Sequence, residues 1–333
     1  MLRKVASLSG HTEDRVWHAA WSNSGKYVAS CGEDKVVRIW GSKAEPWEEH
    51  SVVCIATLED AQSRTIRWCD WSHDDSCLAC ASFDGTIAIW EAQNPLRSSW
   101  EMVASLEGHE NEVKSVAWSA NGKWLASCGR DKTVWIWENA GNHEYECVTI
   151  LQGKHGHSQD VKSVRWHPHS SLLVSVSYDD TVKVWREDQE DWYCAETLTG
   201  HASTVWAAAF DPTGLRLVTV SDDKTIRLWQ CQDVKQLCHW SFLGSYEGLH
   251  QHVIYSVDWN IYNGYIATGS GDNSIVLCHN SDNNDGLIQY ENKFENAHNG
   301  DINCVRWNPN VITSDLLVTA GDDGAVNIWR LEL

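Results

Sequence analysis

Apolar and polar positions along the chain fall into short runs that recur in one fixed order. In the stretch from Ser105 to Ser119, SLEGHENEVKSVAWS, a Gly-His pair precedes the apolar-rich run VKSVAW, and the run TVWIW follows soon after Asp131. Short runs of this kind, bounded by polar turn segments such as SANGKW and DPTGLR, are typical of β-strands. The pattern therefore predicts a chain built from short antiparallel strands.

The same order of runs repeats along the chain with a period from the mid-forties to about fifty residues. Each unit predicts three strands and a looser fourth strand, and each contains an Asp that follows a short apolar run. That Asp occurs seven times, at Asp34, Asp84, Asp131, Asp179, Asp223, Asp272 and Asp323. Seven units of four strands match the WD-repeat pattern, which implies an all-β, seven-bladed β-propeller.

The two ends of the chain predict how this ring closes. A lone strand, VASL, precedes His11, whereas the last unit stops at LEL after three strands. We therefore expect the N-terminal strand to complete the last blade and to remove an open sheet edge. Residues 1–333 would then form a single domain.

Charge and composition narrow the possible partners and locations. The formal net charge is -20 with no Lys/Arg-rich block, which disfavours binding to nucleic acid or to an anionic membrane. The apolar part of MLRKVASLSGH is too short for a signal peptide, and no run approaches the ~20 apolar residues of a membrane span. We expect an intracellular protein in which the 12 Cys residues are free thiols.

In WD-repeat proteins a His, a Ser or Thr, the repeated Asp and a Trp form a buried hydrogen-bonded tetrad. Five units supply all four residues: His11, Ser30, Asp34 and Trp40; His109, Ser127, Asp131 and Trp137; His157, Ser175, Asp179 and Trp185; His201, Thr219, Asp223 and Trp229; His298, Thr319, Asp323 and Trp329. In unit two, Gln62 and Cys80 replace His and Ser, and in unit six Cys278 replaces Trp. We expect incomplete tetrads in those two units.

The tetrad also gives the many His and acidic residues a structural explanation, because an unpaired buried polar group costs ~1–3 kcal/mol. The Cys-x-x-Cys pair, Cys77 and Cys80, lies on a predicted strand, where residues three apart face opposite sides of the sheet. The sequence has no phosphate-binding Gly-rich loop and no nucleophile elbow. We therefore expect no metal site, no cofactor and no catalysis.

Binding residues are expected at positions that the repeat leaves variable. One such position follows the first apolar residue of each inner strand: Trp17, Arg67, Lys114, Lys162, Trp206, Tyr255 and Asn303. A second precedes the tetrad Asp: Glu33, Phe83, Arg130, Tyr178, Asp222, Gly271 and Asp322. Together they predict a basic arc on blades two to four with aromatic residues around it, which is the composition of a protein-binding face. The alternative is that these cations offset neighbouring acidic turns and that the aromatic residues plug the channel.

Three segments, SLEGHENEVKSVAWS, HPHSSLLVSVSYDDTVKVWREDQEDWYC and DINCVRWNP, resemble the WD-repeat protein of the cytosolic iron-sulfur protein assembly machinery, the Cia/Ciao family. The resemblance implies a scaffold that joins a targeting complex with a small assembly partner and a helical-repeat adaptor. It also implies that clusters arrive from an iron-only-hydrogenase-like carrier and pass to apoprotein clients in the cytosol and nucleus. The family's functionally important surface Arg falls on Arg130.

Two other functions compete with this interpretation. A substrate receptor of a ubiquitin ligase has the same fold but usually carries Trp-Asp-x-Arg after the third strand, which no unit of this sequence has. A propeller enzyme or a direct cluster carrier would need convergent carboxylates or several facing Cys residues. The Cys spacing lacks a ferredoxin-type run, which favours a scaffold over a carrier.

Overall fold

The computed structural model describes residues 1–11, 14–42, 47, 51–189, 191–233, 238–280 and 287–332. Within these ranges the chain forms 28 β-strands and one short 3-10 helix. The strands make seven four-stranded antiparallel sheets, which are the blades of a propeller. Over the same ranges, no helix has the length and apolarity that crossing a membrane requires.

The strands follow the order that the repeat predicts. The chain begins with β1 (Leu2–Leu8), and blade one holds β2 (Val16–Trp21), β3 (Tyr27–Gly32), β4 (Val37–Ser42) and β5 (Val52–Leu58). Blade two holds β6 (Ile66–Trp71), β7 (Cys77–Ser82), β8 (Ile87–Ala92) and β9 (Trp100–Leu106). Blade three holds β10 (Val113–Trp118), β11 (Trp124–Gly129), β12 (Val134–Gly141) and β13 (Glu144–Leu151).

After the 3-10 helix, Gly153–His155, the remaining blades repeat this arrangement. Blade four holds β14 (Val161–Trp166), β15 (Leu172–Ser177), β16 (Val182–Asp188) and β17 (Asp191–Leu198). Blade five holds β18 (Val205–Phe210), β19 (Arg216–Ser221), β20 (Ile226–Asp233) and β21 (Cys238–Tyr246). Blade six holds β22 (Ile254–Trp259), β23 (Ile266–Ser270), β24 (Ile275–Asn280) and β25 (Ile288–Phe294). Blade seven holds β26 (Ile302–Trp307), β27 (Leu316–Gly321) and β28 (Val326–Leu331).

Strand β1 completes blade seven, as the sequence predicted. It pairs antiparallel with β28, from Leu2 opposite Leu331 to Leu8 opposite Val326. The first and last segments of the chain therefore share one sheet, which closes the ring and covers the edge of β28.

Neighbouring blades are held together by apolar side chains and by indole hydrogen bonds. Ile39 of blade one and Leu78 of blade two, for example, are fully buried in one shared cluster. In blades one, two and four the Trp that ends the inner strand donates its indole N–H to a carbonyl of the preceding blade, as Trp71 does to Ala20 at 3.1 Å and Trp166 does to Ala117 at 2.9 Å. These contacts fix each inner strand, and so fix the side chains that line the channel and its mouths.

Each inner strand has a β-bulge at its second residue. In blade three, Val113 pairs with Gly129 and Ser115 pairs with Cys128, so that Lys114 is left out of the ladder. The same irregularity occurs at the matching position of all seven blades. A bulge turns its extra side chain away from the regular alternation, and these positions are the first variable register of the sequence.

Candidate partner-binding face

The tetrads anchor the turns that carry the second variable register. In blade three, Asp131 accepts a hydrogen bond from His109 Nδ1 at 2.7 Å, and His109 Nε2 lies 2.8 Å from Ser127 Oγ. The Trp137 indole donates to the same hydroxyl at 3.0 Å. The corresponding distances lie between 2.7 and 3.0 Å in blades one, four, five and seven.

The tetrad Asp also shapes the tight turn that follows it. Asp131 Oδ1 accepts hydrogen bonds from the Thr133 N–H at 3.1 Å and from its hydroxyl at 2.6 Å. Burial acts to raise the pKa of Asp131, but the hydrogen bonds from His109 and Thr133 outweigh it and hold the pKa below its usual range. The ionised carboxylate therefore fixes the backbone next to Arg130.

Blades two and six replace parts of the tetrad, as the sequence indicated. Gln62 donates to the carbonyl oxygens of Cys80 and Thr86, each at 3.1 Å, and Asp84 accepts instead from Ser63 and Thr86. In blade six, where Cys278 stands in place of Trp, His250 keeps its bonds to Asp272 and Thr268. Lys293 Nζ adds a contact to Asp272 at 3.0 Å. The two departures therefore lead to different local networks.

Arg130 is the most exposed cation of the predicted arc. It lies at the turn between β11 and β12, and 58% of its side-chain surface is exposed. Its Nη1 contacts both carboxylate oxygens of Glu112, at 3.2 and 3.3 Å, and Arg64 approaches the same carboxylate at 3.5 Å. Because more than half of the Arg130 side chain is exposed, solvent screens this ion pair, which leaves Arg130 available for another acceptor.

Lys114 of blade three and Lys162 of blade four share the carboxylate of Asp160, which directly precedes the inner strand of blade four. Their amino groups lie 2.5 and 3.8 Å from Asp160 Oδ2. Burial and the neighbouring Lys114 lower the pKa of Lys162 to about 8, against the opposing effect of Asp160. The Lys162 amino group also lies over two aromatic rings, at 5.1 Å from the Tyr178 ring centre and 4.8 Å from that of Trp206. The contacts of these two lysines with Asp160 are those that the alternative interpretation expects, in which the cations offset neighbouring acidic turns.

The side chains of Arg130, Lys114 and Lys162 line a cleft of about 370 Å³ on blades two to four. Its lining combines both variable registers with residues of the preceding turns: Phe83, Glu112, Lys114, Arg130, Gln159, Asp160, Lys162 and Tyr178. Tyr178 lies in this lining with 56% of its surface exposed. We call this feature the Arg130 cleft. It offers guanidinium and ammonium donors next to two aromatic surfaces.

The remaining aromatic residues of the first register continue around the channel. Trp206 and Tyr255 pack edge to face with ring centres 5.1 Å apart. Burial, together with the neighbouring Asp301, raises the pKa of Tyr255 to about 12. Trp17 lies across the ring, where the guanidinium of Arg67 stands 4.8 Å from its ring centre. These side chains are only partly exposed, so they contribute to the rigidity of the face as well as to its surface.

Arg67 differs from the sequence expectation of a surface cation. Its Nη1 atom is buried and has no hydrogen-bond partner within the described ranges, and burial lowers the pKa of its guanidinium. The bulge directs this side chain between Trp17 and Trp68 instead of toward the Arg130 cleft. The arc on the face therefore consists of Arg130, Lys114 and Lys162, without Arg67.

Sequence reasoning missed the carboxylates of this face. Glu112 and Asp160 each stand directly before the first apolar residue of an inner strand, next to Val113 and Val161. An acidic residue at that position in adjacent units was the available signal.

The Cys77 and Cys80 side chains are buried on β7. Cys77 pairs with Glu91, and Cys80 pairs with Cys69 on one side and Ala88 on the other. In the part of the chain that the structure describes, no three His, Cys, Asp or Glu residues converge as metal ligands.

Comparison with known proteins agrees with this architecture. The family model for the WD domain, G-beta repeat, matches residues 2–41, 52–91, 100–138, 145–186, 192–230, 240–278 and 290–330. The chain is 38% identical over 340 residues to a protein of Caenorhabditis elegans named probable cytosolic iron-sulfur protein assembly protein CIAO1 homolog, with 100% of each chain covered. A Chlamydomonas reinhardtii protein of the same name is 43% identical, over 99% of this chain and 98% of the relative.

A further relative comes from the yeast Scheffersomyces stipitis. This protein, named probable cytosolic iron-sulfur protein assembly protein 1, is 36% identical over 99% of this chain and 100% of its own length. These matches cover 99–100% of this chain and therefore include all seven blades. The chain therefore belongs to the WD-repeat family and, within it, to the family of the cytosolic iron-sulfur protein assembly protein CIAO1.

Proposed function

We propose that this protein is a non-catalytic scaffold in the assembly of cytosolic iron-sulfur proteins, and that it binds protein partners at the Arg130 cleft. The names of its relatives support the role in iron-sulfur protein assembly. The repeat architecture, whose faces can bind other proteins, supports the role as a scaffold. The partners implied by the family are the small assembly partner, the helical-repeat adaptor, the iron-only-hydrogenase-like carrier and apoprotein clients. Its working locations would be the cytosol and the nucleus.

The observation that carries this proposal is the exposed Arg130 beside Tyr178 on a protein of net charge -20. Arg and Tyr are among the residues that dominate binding energy at protein interfaces. A local cationic cleft on an acidic surface attracts and orients an acidic partner segment, because the potential there has the opposite sign to its surroundings. The tetrad of blade three holds the turn of Arg130 rigid, which lowers the entropy cost of binding.

The chemistry of the cleft favours a partner segment that ends in a carboxylate or carries acidic side chains. Arg130 uses only Nη1 for Glu112 within the described residues, so Nε and Nη2 can donate to an incoming carboxylate. Lys114 and Lys162 would hold a second acceptor near Asp160, and Tyr178 would cover an apolar side chain of the partner. Such a segment would dock by charge-assisted hydrogen bonds with an aromatic contact beside them.

The test is affinity capture from cell extract with the Arg130→Glu variant, followed by mass spectrometry and by titration of the partners recovered. We expect binding to weaken by at least ~2 kcal/mol, about thirtyfold, while the melting temperature changes little. The Arg130→Lys variant keeps the charge but loses the planar fork, so we expect intermediate binding. Arg3→Glu, which reverses an exposed charge in blade seven next to Glu332, is the matched control and should bind as the unmutated protein does.

Two further measurements separate this proposal from its competitors. Tyr178→Ala should weaken the same partner with little salt dependence, whereas the Arg130 contribution should fall as salt is added. Visible absorbance after anaerobic reconstitution would indicate a cluster carrier instead of a scaffold. If folded Arg130→Glu captures every partner at the unmutated level, the Arg130 cleft is not the binding site. Capture of ubiquitin-ligase adaptors in place of iron-sulfur assembly proteins would reject the function itself.

A further inference from the structure

The central channel contains a cavity lined by charged side chains, and this cavity shares no lining residue with the Arg130 cleft. Its volume is about 170 Å³, and its lining includes His18, Trp68, Asp70, Arg165, Asp258 and Arg306. These residues come from the inner strands of blades one, two, four, six and seven. A single water needs roughly 10–15 Å³ by a comparable measure, so the cavity has room for a small molecule with several heavy atoms.

The two carboxylates of this cavity are already engaged by the protein. Asp258 accepts hydrogen bonds from Arg165 Nη2 and from the backbone N–H of Trp307, both at 2.8 Å. Asp70 accepts from the backbone N–H of Trp118 at 2.8 Å. One guanidinium, that of Arg165, is therefore matched by a carboxylate.

A second guanidinium, that of Arg306, has no such match. Only 8% of Arg306 is exposed, and its Nη1 donates to Ser256 Oγ and to the carbonyl oxygens of Val257 and Val305, at 2.8 to 3.2 Å. Within the described ranges no carboxylate pairs with it. The Nη1 contacts fix the plane of the guanidinium, while Nε and Nη2 have no protein acceptor among those residues. These two groups are not fully buried, so they can donate to an acceptor that enters the cavity.

Three cationic or polar side chains, those of Arg306, Arg67 and His18, lie close to the Trp68 indole. The Arg306 guanidinium lies 5.2 Å from its ring centre, and that of Arg67 lies 6.0 Å away with a buried, unpartnered Nη1. His18 stacks on the same indole at 3.9 Å, is only 2% exposed, and has no partner for its Nε2 within the described chain. Burial lowers the pKa of His18 well below its usual value, and Arg306, Arg67 and Arg165 lower it further.

We propose that the central channel binds a small oxyanion, a phosphate-like ion or a short carboxylate, against Arg306 and Arg165 with His18 beside it. Arg165 and Arg306 line the cavity together with Asp70 and Asp258, and only Arg165 is paired with one of these carboxylates. The guanidinium of Arg67, which does not line the cavity, adds a third positive charge beside Trp68. An oxyanion supplies several acceptors in one plane or tetrahedron, which fits the fixed forks of guanidinium groups. The site is distinct from the Arg130 cleft, and it does not depend on the proposed partner binding.

The experiment is isothermal titration of the full-length protein with inorganic phosphate and, separately, with succinate, each compared with sodium chloride at equal ionic strength. We expect saturable binding of at least one of the two oxyanions and a rise in melting temperature that chloride does not produce. Phosphate binding without succinate binding would identify a free phosphate-like ligand, and the reverse would identify a carboxylate ligand. Absence of saturable binding for both would overturn the proposal.

Two variants locate the ligand in the channel. Arg306→Gln and Arg165→Gln should each raise the dissociation constant at least about tenfold, because each removes charged hydrogen-bond donors from the ligand. Arg165 is the more exposed of the two, so Arg165→Gln decides the question if Arg306→Gln does not fold. Arg3→Gln is the charge-matched control and should keep the unmutated affinity. Unchanged affinity in folded Arg165→Gln, equal to that of Arg3→Gln, would show that the oxyanion binds elsewhere.

Discussion

Replacing Asp131 by Ala removes the acceptor at the centre of the blade-three tetrad. The carboxylate accepts hydrogen bonds from His109 Nδ1, from the Glu110 N–H and from both the N–H and the hydroxyl of Thr133. His109 is buried, with 1% of its side chain exposed, so water cannot replace the lost acceptor. An unpaired buried donor costs ~1–3 kcal/mol and a hydrogen bond to a charged group contributes ~1.5–3 kcal/mol. Because these terms overlap, we expect the free energy of unfolding to fall by ~2–4 kcal/mol.

The matched variant is Asp84→Ala in blade two. Asp84 accepts from Ser63 and Thr86, but Gln62 turns away from it toward the carbonyl oxygens of Cys80 and Thr86. No buried imidazole is left unpaired when this carboxylate is lost, and Ser63 is exposed to water. We therefore expect a smaller loss, ~1–2 kcal/mol.

Urea unfolding of both variants, followed by tryptophan fluorescence and by circular dichroism, measures the difference through the shift in midpoint at a common slope. Asp131→Asn serves as an internal control, because its amide oxygen can still accept from Thr133 while the negative charge is gone. We expect its loss to fall below that of Asp131→Ala. Equal losses for Asp131→Ala and Asp84→Ala would refute the reasoning, since the tetrad would then add nothing to an ordinary turn carboxylate.

Two further predictions concern closure and acidity. Deleting residues 1–8 should lower the melting temperature far more than deleting a loop of equal length, because it removes the ladder between β1 and β28; a truncated protein that melts like the full-length protein would contradict this. Hydrogen bonds hold the pKa values of Asp179 and Asp223 below that of an unfolded Asp despite burial. Their stabilisation is complete above the unfolded pKa of about 4 and is lost as pH falls below it. The urea midpoint should therefore drop between about pH 4.5 and 3, and Asp179→Asn should reduce that drop; an unchanged midpoint over this interval would contradict the tetrad electrostatics.

The sequence could predict the ring because each blade repeats a local chemistry. The spacing from a tetrad Asp to its Trp, as from Asp131 to Trp137, places both on one hairpin and so marks each blade except blade six, where Cys278 replaces the Trp. Closure by β1 followed from the number of strands at each end of the chain. Such features depend on residues that are close in sequence or on strand count, and both can be read directly from the chain.

The candidate site was less predictable because exposure at a bulge depends on neighbours from other blades. Lys114 and Arg67 occupy the same register, yet Lys114 reaches Asp160 of the next blade and Arg67 lies between Trp17 and Trp68. Nothing in either blade alone distinguishes these outcomes. The same is true of Gln62, whose amide bonds to two backbone carbonyls that no residue pattern specifies.

The bulges separate the variable side chains of the first register from the strand pairing of the blades. A side chain at a bulge lies outside the ladder of its strand, so changing it alters neither the pairing of β10 with β11 nor that of β6 with β7. The hydrogen bonds of the blade and the tetrad would persist whether Lys or Arg stands there. A change at the first register can therefore leave the blade intact. Arg130 lies outside both strands, exposed in the turn between β11 and β12, and for this reason we expect Arg130→Glu to impair binding in a protein that still folds.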